Sequence, residues 1–171
     1  MEVPVVPVIY VKPAVLCAAV VLAVMPRVWA QTADPFDGTW RLNAAKSQAT
    51  WDAQPQPKRA AARAPSSEVI TMRIADGSMQ YKVDAGGKSA SYTAKFNDAK
   101  WQDVRGETED GVAAVTLVKV NDRLHYWVTR TKDAQFAGLI QRRMAPDGKS
   151  ITSVRIGTDG YVHHVRVYEK Q

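Results

Sequence analysis

Cysteine is almost missing from this chain of 171 residues. The single one, Cys17, lies in an apolar N-terminal run, so everything after residue 30 must hold together without disulfides and has no thiolate for catalysis. Histidine is nearly as scarce. Of the three, His163 and His164 are neighbours, and neighbours on a strand point to opposite faces, which leaves no pair able to share a metal with His125. Catalytic signatures are missing as well: there is no Gly-x-Ser-x-Gly elbow, His-Glu-x-x-His helix or glycine-rich phosphate loop. The pairs Glu107/Glu109 and Asp98/Asp103 sit in or beside turns, where a solvated edge is the expected role. The sequence therefore points to neither an enzyme nor a cofactor-bearing or metal-bearing protein.

No apolar run reaches the ~20 residues that a membrane-spanning helix requires. What the N-terminus has is shorter. Ala14 to Met25 is uncharged and apolar, Lys12 precedes it, Pro26 breaks it, and Val28-Trp29-Ala30 supplies a small-x-small cleavage pattern. Residues 1–30 read as a secretory signal peptide cleaved after Ala30, which places the mature protein in the periplasm or outside the cell. Cys17 is not a lipid attachment site, because Leu16 before it is large and the apolar run follows it. Loss of Lys12, Arg27 and Glu2 takes the net charge from +6 to +5. That excess is dispersed. Its densest stretch, residues 58–63, has no interleaved aromatics, so a solvated loop is expected and no nucleic-acid partner.

Beyond the leader, a lead over residues 31–37 runs into Asp34-Pro35-Phe36-Asp37-Gly38-Thr39-Trp40-Arg41-Leu42, a tight bend followed by a short strand. Alternation puts Trp40 and Leu42 on one face, with the indole placed to plug one end of a closed sheet. Residues 44–66, with Pro55, Pro57, Pro65 and an alanine run, read as a long lid-like loop in which only about residues 57–64 could be helical.

From Glu68 onward the chain alternates in short runs. They cover about Glu68–Ala75, Ser78–Asp84, Lys88–Phe96, Lys100–Arg105, Val112–Val120, Arg123–Thr131, Ala134–Met144, Lys149–Gly157 and Tyr161–Lys170. Asp76-Gly77, Gly86-Gly87, Asn121-Asp122, Asp147-Gly148 and Asp159-Gly160 separate several of them, and such pairs suit two-residue hairpins. Consecutive hairpins make an antiparallel meander, and a sheet this wide removes its edges by closing. The expected fold is all-β: an up-and-down meander barrel of about eight to ten strands over residues 38–171, as one domain.

Hairpin parity about Asp159-Gly160 groups Thr152, Val154, Ile156, His163, Val165 and Val167 on one face. Ile151, Ser153, Arg155, His164, Arg166 and Tyr168 take the other. Apolarity favours the first group as the inner face. Around Asn121-Asp122, parity groups Val115, Leu117, Leu124, Tyr126 and Val128 against Val118, Val120, His125 and Trp127, and both faces are apolar.

Phe36-x-Gly38-Thr39-Trp40-x-Leu42 resembles the first-strand signature of the calycins, the lipocalins and the cytosolic fatty-acid-binding proteins. The longer form through Asn43-Ala44-Ala45-Lys46-Ser47 resembles that of secreted bacterial lipocalin-like proteins with no assigned function. Arg166-Val167-Tyr168-Glu169-Lys170 resembles the last strand of fatty-acid-binding proteins, where an inward Arg-x-Tyr holds the ligand carboxylate. That likeness implies ligand-lining roles for Arg166 and Tyr168, joined by Arg155 or His164, against the face that apolarity favours. Fatty-acid-binding proteins carry two helices between their first strands, whereas this chain has a proline-interrupted stretch.

Two functions follow as expectations. The first is a secreted or periplasmic binding protein for a small hydrophobic, amphipathic or carboxylate-bearing ligand. The alternative is an envelope barrel with a packed interior, no ligand and a protein partner.

Overall fold

The computed structural model describes residues 33–55, 58, 67–108, 111–133 and 135–171. The signal-peptide reading of residues 1–30 lies outside them, as do residues 59–66. Eleven strands and one helix are present: β1 (Gly38–Leu42), α1 (Ala44–Asp52), β2 (Glu68–Ala75), β3 (Ser78–Ala85), β4 (Lys88–Lys95), β5 (Gln102–Asp103), β6 (Arg105–Gly106), β7 (Ala114–Asn121), β8 (Leu124–Arg130), β9 (Phe136–Met144), β10 (Ser150–Ile156) and β11 (Val162–Lys170). All belong to one antiparallel sheet, in the order β5-β7-β8-β9-β10-β11-β1-β2-β3-β4-β6.

The two ends of that order are halves of one segment. The run expected as a full strand over Lys100–Arg105 is instead split, so that Gln102 and Asp103 pair with β7 while Arg105 and Gly106 pair with β4. This strap closes the sheet into a barrel. Gly106 makes the close approach possible, since a Cβ there would sit 2.2 Å from the Ser89 carbonyl oxygen. A second join, at the far end of the same line, is the bridge between Phe96 and Leu117.

The first strand forms as its turn chemistry dictates. Asp34 accepts from the Phe36 and Asp37 amides, and Gly38 takes φ +138°, a value that L side chains rarely adopt. Trp40 is then fully buried, with Nε1 donating to the Phe36 carbonyl at 3.0 Å. Phe36, Met72, Met79, Phe96, Leu117, Met144 and Ile151 join it in the core.

Two details of the sequence reading are corrected. The connection after β1 is not all loop: Ala44–Asp52 is helical, capped by Asn43, whose side chain accepts from the Lys46 amide at 2.9 Å. Alanine and glutamine favour that helix, and Asn43 supplies its start. The helix packs on β11, where Ser47 Oγ accepts the Val167 amide that β1 is too short to reach and donates to the Asn43 carbonyl. The second correction concerns β7 and β8. A register shift between Lys119 and Asn121 sets Leu117 opposite Trp127 and Lys119 opposite His125, so Val115, Leu117, His125 and Trp127 share the buried face.

Candidate functional site

The inner face of the last hairpin is the charged one. Pairing puts Ser153 opposite Arg166, Arg155 opposite His164 and Ile151 opposite Tyr168. All but Ile151 line a cavity of about 90 Å³. Apolarity had favoured Val165 and Val167 as inner residues, and that expectation is overturned. Both valines are buried on the opposite side of β11, where α1 packs. A helix laid on the outside makes an outer face apolar, which sequence alternation alone reads as a core. A shift at the end of β10 also pairs Ile156 with Val162 in place of His163.

The cavity lies in one half of the barrel. Trp40 and the large apolar residues packed around it fill the other half and do not line it. Its walls are Tyr81 and Val83 of β3, Ala90 and Tyr92 of β4, Trp127 and Thr129 of β8, and Ile140 and Arg142 of β9, with Val104 of the strap facing in. Lys88 and Glu107, an ion pair at 3.5 Å with both side chains well exposed, also line it, so the cavity reaches the rim.

Two guanidinium groups in this wall have different surroundings. Arg166 Nη1 donates to Glu68 Oε2 at 2.7 Å, and Tyr168 Oη donates to Glu68 Oε1 at 2.8 Å. The Arg-x-Tyr fork thus already holds a carboxylate, one supplied by β2. Arg142 is only 4% exposed, and its Nη2 donates to Tyr81 Oη at 3.0 Å. Its guanidinium lies 3.6 Å from the Trp127 ring centre, and among the described residues no group accepts from Nε. Among the described residues no carboxylate lies within ion-pair distance of it. Removing a cation from water costs several kcal/mol when no partner compensates.

The phenols do not supply that compensation. Burial raises Tyr81, and raises Tyr92 and Tyr168 well above the usual tyrosine value, so all three are neutral at physiological pH. His164 is neutral too, held well below the ordinary imidazole value by burial and then by Arg166 and Arg155. Arg155 Nη2 donates to the Ala137 carbonyl at 3.3 Å. Among the described residues the wall is therefore aromatic and aliphatic with more basic than acidic side chains, and it is suited to an acidic group with an apolar body.

Arg166, Tyr168, Arg155 and His164, the four candidates from the sequence, come together in this wall, while Trp40 lies apart from it. Glu68 and Arg142 were not singled out. Both were visible as charges in phase with apolar residues: Glu68 alternates with Ile70 and Met72, and Arg142 with Ile140 and Met144.

No described protein family matches the chain, and no curated protein does either. Solved structures do. A mutant of the fluorescent protein UnaG is 18% identical, with a TM-score of 0.52 over 80% of this chain and 96% of that one. The fatty acid transporter REP1-NXSQ is 10% identical, with a TM-score of 0.47 over 79% and 95%. The likeness is one of fold. What it shows is an antiparallel meander barrel, the architecture that the turn pairs and alternation implied.

Proposed function

We propose that the protein binds a small acidic amphipathic molecule, carboxylate inward at Arg142 and apolar tail toward the rim. The observation that carries this reading is Arg142 itself, a buried guanidinium in a cavity wall with no carboxylate beside it among the described residues. A ligand carboxylate would supply the missing counter-charge through a bidentate contact. The tail would lie against Val83, Ala90, Val104 and Ile140. A hollow of 90 Å³ is small beside the ~300 Å³ or more of a drug-sized site, so the fitting ligands are short, or leave part of the tail at the rim.

The reading extends to place. Residues 1–30 carry the charge, apolar run and cleavage pattern of a secretory leader, and a protein acting outside the cytoplasm fits a mature chain without cysteine. Mass measurement of the exported chain would find it beginning at Gln31.

Calorimetric titration of residues 31–171 with straight-chain carboxylates of about four to eight carbons, and with amines of equal length, tests the binding reading. Carboxylates are expected to bind and amines to fail. Equal silence from both series would leave the packed-barrel alternative, which the small volume of the hollow favours.

A further inference from the structure

Glu68 is the first residue of β2 and shares the inward face of that strand with Ile70 and Met72. It is 3% exposed, and each of its carboxylate oxygens is engaged, one by Arg166 and the other by Tyr168. Guanidinium and phenol held side by side are what an incoming acidic group would otherwise use. That corner is thus charge-balanced from within, whereas the partners of Arg142 among the described residues are phenol, thioether and indole groups.

We propose that Glu68 is a specificity-determining residue: it fills the Arg166 and Tyr168 fork and so restricts the cavity to ligands with one acidic group, seated at Arg142. The proposal rests on the reading that the cavity takes an acidic ligand. A second carboxylate would meet a fork already occupied and would be buried close to the like charge of Glu68, which disfavours both ionised forms. Tyr81 Oη accepts from Arg142 Nη2 and lines the same cavity as Glu68 and Arg166, so one ligand of moderate length can reach both sites.

The test compares hexanoate with adipate on the intact mature chain and on the variant Glu68→Gln, which keeps the shape and drops the charge. The native protein is expected to bind hexanoate and to reject adipate. E68Q is expected to gain about tenfold or more in adipate affinity while hexanoate affinity stays within about threefold. A second variant, Arg166→Met, leaves the Glu68 charge facing the cavity. It is expected to gain 6-aminohexanoate and still reject adipate, and it serves in its own right if E68Q does not fold.

If the native chain binds hexanoate but E68Q gains no adipate, the specificity role falls and the binding function stands. Adipate bound by the native chain, or by R166M, overturns the role as well. Should the native chain bind neither acid and E68Q fail likewise, both readings fall together.

Discussion

The guanidinium of Arg142 stacks 3.6 Å from the ring centre of Trp127, and burial removes both from bulk water. Cation–π attraction and the Tyr81 hydrogen bond offset part of the desolvation cost, and neither neutralises the charge. Replacing Arg142 by Met keeps the packing and removes the charge. R142M is expected to unfold at the same denaturant concentration as the native chain or a higher one, by up to about 2 kcal/mol, and to lose about tenfold or more in hexanoate affinity. Urea titration and calorimetry read the two effects separately. A site kept for binding at the expense of stability gives that opposite pair of signs.

His125 is sandwiched between Phe36 and Phe96, with ring centres 4.1 and 4.8 Å away. Its pKa is lowered from 6.5 to about 4 by burial, with Lys119 and Arg142 acting in the same direction and Asp34 and Asp122 against it. The folded chain therefore holds fewer protons than the unfolded one between those values. Stability is full above about pH 6.5 and falls as the pH drops toward 4, by up to about 3 kcal/mol from this residue. His164 is shifted in the same direction and adds to the loss. Denaturant midpoints at pH 7.5 and 5 will show the fall, and His125→Phe is expected to reduce it.

Much of this barrel could be read from the chain. Turn pairs and alternation located the long strands, because both signals are local. The strap could not be read in the same way, since Gln102–Asp103 and Arg105–Gly106 owe their pairing to two neighbours far apart in sequence. The inner face of β11 was concealed for a related reason: the outward Val165 and Val167 are buried by a helix whose docking no periodicity in β11 records. The likeness of Arg166-x-Tyr168 to an inward-facing pair pointed to the face that apolarity passed over, and both side chains turn inward, to Glu68.

Ser47 is the one buried residue of α1 and is bonded twice, accepting from the Val167 amide at 2.8 Å and donating to the Asn43 carbonyl at 2.6 Å. Ser47→Ala leaves that buried amide unsatisfied. A loss of about 1–3 kcal/mol is expected, with faster hydrogen exchange at Val167 than at its neighbours in the β10 pairing. Uniform acceleration along β11 would instead mean that the helix docks by its apolar contacts alone.

Gly38 holds φ at +138°, and an added Cβ would stand 3.1 Å from Lys170 Cε. The lysine end can give way, but the backbone angle cannot relax without moving Trp40. Gly38→Ala is expected to cost about 1–3 kcal/mol, read as a lower melting temperature with altered tryptophan fluorescence.

Gln102–Gly106 stitches β4 to β7 with two residue pairs on each side, whereas the next shortest junction, β1 with β11, has three. Such a seam parts at a lower free energy than the rest of the cylinder. Val104 sits in the middle of that seam and faces the hollow, so its amide is expected to exchange ahead of those in the hairpins on either flank.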